Sequence, residues 1–201
     1  WLKGGFLGVD IFFVISGYLI TKTILSEIVE GRFKILQFYA RRIRRIFPAL
    51  IIVLMTCLVF GWELSSTGHF TRLSKHIIAS SVFASNLLLL SESGYFDSAS
   101  IYKPLLHLWS LGVEEQFYLI WPAILLLAWR YQMSILLLTV IVTLISFTIA
   151  IEMENSIFLF YSPITRAWEL LIGAILAYFH LFSNFTLDTI FFKINYWLPQ
   201  F

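Results

Sequence analysis

Charge is what this chain of 201 residues has least of. Asp, Glu, Lys and Arg make up 13% of it, against about 25% in soluble domains. That shortfall excludes an ordinary water-soluble globule. Cysteine occurs once, at Cys57 inside an apolar run, so an intramolecular disulfide and a cysteine-based metal site are both excluded. Lys and Arg number 14 against 12 Asp and Glu, which leaves a formal net charge of +2 and no basic footprint for nucleic acid. Also missing are H-E-x-x-H, a Walker loop, a G-x-S-x-G elbow and any dense His/Asp/Glu cluster, so metal catalysis has no support. The chain opens on Trp1, with neither an initiator Met nor a basic leader segment before its first apolar run. The expectation is a single transmembrane domain over residues 1–201, a piece of a longer protein that is incomplete at both ends.

What the chain has in abundance is hydrocarbon. It is 59% hydrophobic and 18% aromatic, with 20 Phe and 7 Trp, and its mean hydropathy is +0.85. These values predict an all-α, polytopic transmembrane helix bundle with about six membrane helices. Phe6–Ile20, extended to Leu25, forms the first span, with Asp10 inside it and Lys22 reaching for the interface. Thr21–Arg45 reads as a polar, amphipathic connection broken at Gly31. Ile46–Trp62 follows as an uncharged span with Pro48 near its first turn. Glu63–Lys75 reads as a polar loop carrying His69 and Arg72. Ile77–Leu90 is short enough to be either a span or a re-entrant helix. Ser91–Lys103 is a loop, and a helix then runs from Pro104 to Trp129. Arg130-Tyr-Gln is a tight connection to the uncharged span Met133–Ile151, and the last span runs from Ile157 to about Phe179. His76 and His180 read as interfacial.

The chemistry concentrates where apolar runs carry ionisable groups, which are costly at lipid depth and face a protein interior or an aqueous cavity. On a helix, His107, Ser110, Leu111 and Glu114 share a face, with Glu115 and Tyr118 on the neighbouring strip. Asp10 lies one turn from small residues, where it can equally bond an adjacent helix. Arg41, Arg42, Arg44 and Arg45 place four arginines within five residues just before a span, so the positive-inside rule puts them in the cytoplasm. Guanidinium groups are also forked donors suited to phosphate. Arg166 and Glu169, three apart, are placed for a local ion pair.

The block H-x-W-S-L-x-V-E-E-Q-F-Y-x-x-W-P, from His107 to Pro122, resembles a signature of the acyltransferase-3 family of integral membrane acyltransferases. Gly8-Val-Asp10 through Ser16-Gly17, the R-x-x-R-I-x-P element from Arg42 to Pro48, and R-x-W-E-x-x-x-G from Arg166 to Gly173 are similar to its other elements. The resemblance covers most of Gly4 to Gly173. It implies transfer of an acetyl or other acyl group from acyl-CoA, as donor substrate, to a hydroxyl of a cell-envelope glycan or lipid-linked saccharide. The implied location is the bacterial inner membrane.

By the same resemblance Arg42 and Arg45 are carried over as donor-binding residues, and Asp10, Glu114, Glu115 and His107 as candidates for the catalytic set. Ser110, Arg166 and Glu169 would complete the polar interior. Glu114 and Glu115 have a structural alternative, bonding the Arg166 region across the bundle, and His107 has one in orienting the loop. The family is thought to use a His in its first membrane helix, downstream of a basic residue, and that helix would precede residue 1. A transporter or channel, and a catalytically inactive membrane scaffold of the same fold, remain alternative readings. If Ile77–Leu90 crosses the bilayer, the His107–Glu115 region starts beside the arginines; if it does not, that region starts on the far side. The crossing arrangement gathers the polar groups and is the preferred expectation.

Overall fold

The structure, a computed structural model, describes residues 7–64, 66–92, 103, 105–153 and 156–182. In chain order the helices are α1 (Leu7–Val29), α2 (Ile35–Leu64), α3 (Thr67–Ser81), α4 (Ser85–Glu92), α5 (Leu108–Arg130), α6 (Ile135–Glu152), α7 (Ser156–Tyr161) and α8 (Pro163–Phe182). No strand occurs among the described residues. Five of the helices, α1, α2, α5, α6 and α8, are long and apolar enough to cross a membrane. Their outer faces are hydrocarbon: Ile11, Phe12 and Ile15 of α1, Ile52, Met55 and Phe60 of α2, and Leu144, Ile145 and Phe147 of α6 are all exposed. Such a surface is stable only against lipid or further protein, and the chain is a multi-pass membrane protein.

Contacts between helices fix their directions. Asp10 meets Arg166 near the starts of α1 and α8, and Lys22 meets His180 towards their far ends, so the two run parallel. Their backbones touch, because a Cβ on Gly17 would fall on the Leu170 carbonyl and one on Gly173 on the Val14 carbonyl. α5 runs with them: the rings of Phe13 and Trp109 meet edge to face at 6.1 Å, and Trp121 donates its indole N–H to Thr21 Oγ1 at 2.8 Å. α6 returns against α8, where the Ser146 hydroxyl donates to the Ile164 carbonyl at 2.5 Å and accepts the Trp168 amide at 3.0 Å. α2 returns against α5, with the Tyr39 hydroxyl donating to the Leu119 carbonyl at 2.7 Å. The main core holds Ile24, Leu25, Phe38, Trp121, Leu125 and Leu171.

Three expectations from sequence give way here. The Thr21–Arg45 stretch is no long connection: α1 continues to Val29, only residues 30–34 turn at Gly31 (φ 70°), and α2 begins at Ile35. Pro48 therefore lies inside α2 instead of in a first turn. Glu63–Lys75 is mostly helix, forming the start of α3, with Trp62 and Phe70 stacked edge to face at 5.3 Å. The last span is divided, because α7 stops at Tyr161 and α8 starts at Pro163.

The fourth correction bears on topology. Ile77–Leu90 is not one helix, and with this break five helices of crossing length occur among the described residues, where the sequence predicts about six. α3 ends at Ser81, Phe83 takes a left-handed conformation (φ 57°), and α4 turns back. A bulky residue at positive φ is strained and persists only where its surroundings impose it. Here Gln116 Nε2 of α5 donates to the Phe83 carbonyl at 2.8 Å, and the Ser85 hydroxyl donates to the Leu108 carbonyl at 2.8 Å. Gly112 makes the docking possible, since a Cβ there would come within 2.8 Å of Asn86 Oδ1. The start of α5 thus lies at the end of the bundle where α1 and α8 begin, opposite the arginine-rich start of α2.

The glycine contact generates a prediction. Gly17→Leu or Gly173→Leu forces α1 and α8 apart and is expected to cost about 2 kcal/mol or more. Gly8→Ala, where a Cβ meets nothing within 4 Å, is expected to leave thermal unfolding of the detergent-solubilised protein unchanged. Equal melting curves for all three variants would refute the close packing.

Candidate active site

Running in opposite directions, α2 and α5 bring two polar groups to the same level. Arg42 and Glu115 each lie two turns, about 10 Å, beyond the start of their helix. The Arg42 Nη2 and Glu115 Oε1 atoms are 3.7 Å apart, and the two side chains are 16% and 12% exposed. The guanidinium also lies over the Tyr118 ring, 3.8 Å from its centroid, a cation–π contact strengthened by exclusion of water. Tyr118 in turn donates its hydroxyl to Glu114 Oε1, the i, i+4 partner on α5. One chain of contacts therefore runs from Glu114 through Tyr118 and Arg42 to Glu115.

This chain flanks a cavity of about 280 Å³. Its walls are Tyr39, Arg42, Ile43, Ile46 and Phe47 of α2, Val82 and Phe83 of the α3–α4 turn, and Glu115, Gln116, Tyr118 and Leu119 of α5. Two of the lining residues each hold a polar atom, Arg42 Nε and Glu115 Oε1, that is buried without a hydrogen-bond partner. Buried polar atoms in a native fold are normally satisfied, so a pair of orphans beside one cavity marks a place for a ligand. Gln116 carries no such debt. Its amide bonds the Phe83 carbonyl and, at 2.9 Å, Asn86 Oδ1, while Asn86 Nδ2 reaches the Tyr161 carbonyl at 3.1 Å.

A second ion cluster holds α1 to α8. Arg166 Nη1 donates to Asp10 Oδ1 at 2.9 Å and to Glu169 Oε1 at 2.6 Å. The guanidinium lies near the rings of Phe160 and Trp109, at 5.2 and 5.8 Å. Glu169 is almost wholly buried, and its Oε2 has no hydrogen-bond partner. Phe13, Trp109, Val113 and Leu170 form an apolar cluster between these helices and α5.

The residues singled out from sequence therefore divide. Glu115 and Arg42 line the cavity, and Glu114 stands behind them, bonded to Tyr118. Asp10, Arg166 and Glu169 gather elsewhere, so Glu114 and Glu115 do not bond the Arg166 region. Arg45 is exposed on α2, and Arg41 is bound to Glu27 of α1 at 2.8 Å. His107 is an exposed residue of the turn before α5, and the Ser110 hydroxyl bonds back to its carbonyl at 3.3 Å. Neither joins the cavity. His76 is buried in the protein and sits 3.0 Å from Glu92 Oε2. His180 is exposed, 3.3 Å from Lys22 Nζ. Among the described residues, no group of three or more His, Cys, Asp or Glu is placed to hold a metal ion.

Comparison with known proteins now adds to the geometry. The sequence profile of the acyltransferase-3 family, described as an acyltransferase domain, matches residues 4–198. The chain belongs to this acyltransferase family. It is 40% identical over 186 residues to an uncharacterized protein of Haemophilus influenzae, covering 87% of this chain and 76% of that one. It is 37% identical over 193 residues to the peptidoglycan O-acetyltransferase OatA of Listeria monocytogenes, covering 92% of this chain. The match spans only 31% of OatA. No solved structure matches significantly.

Within this acyltransferase domain, the family elements map onto two places in space. The E-E-Q-F-Y and R-x-x-R elements meet at the cavity; the Asp10 and R-x-W-E elements meet at the α1–α8 seam. Sequence reasoning passed over Asn86, Phe47 and Phe83. The signal available for Asn86 was an uncharged amide within an apolar run; nothing in the sequence distinguishes the two phenylalanines from the other eighteen.

Arg166→Ala leaves two carboxylates unpaired at the seam and is expected to destabilise the protein by about 3 kcal/mol or more. Adding Asp10→Asn and Glu169→Gln removes those charges and should recover part of the loss in thermal unfolding. An unchanged melting temperature in the single variant would show that the triad carries no stability.

Proposed function

We propose that this chain is the catalytic membrane domain of an O-acyltransferase that moves an acetyl or other short acyl group from acyl-CoA to a hydroxyl of a cell-envelope glycan. The observation that carries this is that Arg42 and Glu115, each with an unsatisfied buried atom (Nε and Oε1), line one cavity. Family membership supports the reaction class, and the printed name of the Listeria relative supports peptidoglycan as one acceptor to test. The positive-inside rule puts the arginine-rich start of α2 in the cytoplasm, where acyl-CoA is available. In a bacterium this membrane is the inner one.

Acyl transfer of this kind adds the acceptor oxygen to the thioester carbonyl carbon, breaks the carbon–sulfur bond and releases the coenzyme A thiol. The proton lost by the hydroxyl reappears on the thiol. Charge develops on the carbonyl oxygen, and a fixed cation in a dry site stabilises it far better than water does. Arg42, held between Glu115 and the Tyr118 face, is that cation. Glu115 balances it and offers its free oxygen to the hydroxyl proton. Glu114 acts as a positioning residue, because it touches Tyr118 and not the cavity. Arg45, on the exposed flank one turn along α2, takes the donor phosphates.

In membranes or proteoliposomes, Glu115→Gln and Arg42→Ala are each expected to lower acyl transfer about 100-fold or more while insertion persists. Arg45→Ala is expected to raise the KM for acyl-CoA with little change in kcat, the mark of uniform binding. Thiol release from acetyl-CoA with soluble peptidoglycan fragments as acceptor provides the measurement. Undiminished transfer in both Glu115→Gln and Arg42→Ala would overturn the assignment.

A further inference from the structure

The cavity that receives the donor has a far wall, and that wall is aromatic. Phe47 of α2 and Phe83 at the α3–α4 turn meet edge to face, with centroids 5.7 Å apart and planes inclined at 76°. Both line the cavity that Arg42 and Glu115 flank. At about 280 Å³ the space falls below the roughly 300–1,000 Å³ of sites that engulf a drug-sized ligand. A whole coenzyme A does not fit, but the acyl end of one does.

We propose that the Phe47–Phe83 pair sets the acyl-chain length this protein accepts, confining the donor to short acyl groups. The inference rests on the functional reading above and extends it to the donor's class. With the thioester carbonyl held at Arg42 and Glu115, the acyl chain extends away from the polar pair along the apolar side chains of Ile43, Ile46 and Leu119. Phe47 is five residues beyond Arg42 on the same helix, about 7.5 Å along its axis. The thioester and the chain share a cavity of about 280 Å³, which holds a short chain and excludes a long one.

The wall is also stiff, as a length-selecting surface must be. Phe83 sits at positive φ, and its carbonyl is held by Gln116, which is bonded in turn to Asn86. Asn86 is completely buried and anchored on the Tyr161 carbonyl. The turn that presents Phe83 is thereby tied to both α5 and α7. Phe47 lies within the α2 helix, and its ring packs against that of Phe83. A longer acyl chain must displace one ring or the other.

The test uses the protein in detergent and in proteoliposomes with acetyl-, propionyl-, butyryl- and hexanoyl-CoA as probes. Two readouts are taken: thiol release with soluble peptidoglycan fragments, and the shift in thermal unfolding caused by each acyl-CoA. The unmodified protein is expected to prefer acetyl- and propionyl-CoA by both. Phe47→Ala and Phe83→Ala should each raise the butyryl-to-acetyl ratio of kcat/KM at least 10-fold and make butyryl-CoA the better stabiliser. Phe47→Leu and Phe83→Leu keep the wall apolar if an alanine variant does not fold, and shift the ratio the same way by less. Stabilisation by acetyl-CoA with an unaltered chain-length order in the variants would overturn this proposal alone. Neither thiol release nor stabilisation with any acyl-CoA in the unmodified protein would overturn the functional reading, and this proposal with it.

Discussion

A guanidinium packed between helices and only 16% exposed must be surrounded by partners, because an unpaired buried cation is costly. Arg42 has two, the Glu115 carboxylate and the electron-rich face of Tyr118. The rest of the arrangement follows from keeping those partners in reach. α2 and α5 must run in opposite directions, Tyr118 must be fixed by Glu114, and the α3–α4 turn must close the space beside them without filling it. The outcome is a charge held firmly on two sides and open on a third. A fixed charge facing a small apolar hollow is what a reaction that builds up negative charge needs.

The second ion cluster is of a different kind. Arg166, Asp10 and Glu169 bind α1 to α8 beside the glycine contact, and aromatic rings crowd the guanidinium. The cavity does not reach them. Two polar groupings that look alike in sequence, each an arginine with carboxylates, thus serve separate purposes: one faces a hollow and the other fastens a seam. Both are held between helices and both hold unpartnered buried atoms, yet only the residues of the first line a cavity.

How much of this was legible in the sequence depended on the range of the interaction. The all-helical membrane architecture follows from apolar runs whose length matches a bilayer, and the spans at α1, α2, α5 and α6 were readable to within a turn or so at one end or both. The Arg166–Glu169 pair was readable because three residues on a helix is a local distance. Asp10 as their third partner was not, being 156 residues away. The break at 82–84 left no trace: Val82, Phe83 and Ala84 include no Gly or Pro, and the positive φ of Phe83 is imposed by Gln116 from another helix. Missing that break reversed the expected end at which α5 begins. The expected meeting of Arg42 with Glu115 survived the error, since each lies part-way along its helix and antiparallel packing brings them level. His107 and Ser110 stay out of the cavity because His107 precedes α5 and is exposed, while the Ser110 hydroxyl, within α5, turns back to the His107 carbonyl.

The glycine pair at the α1–α8 seam has a mechanical consequence. With no side chain between the Gly17 and Gly173 backbones and their opposite carbonyls, these helices cannot slide without colliding, and α6 is fastened to them through Ser146. They form one stiff plate. α2 is attached differently, leaning on α3 and reaching α5 through long side chains such as Tyr39 and Arg42. Shortening those side chains therefore loosens α2 from the bundle and leaves the plate intact.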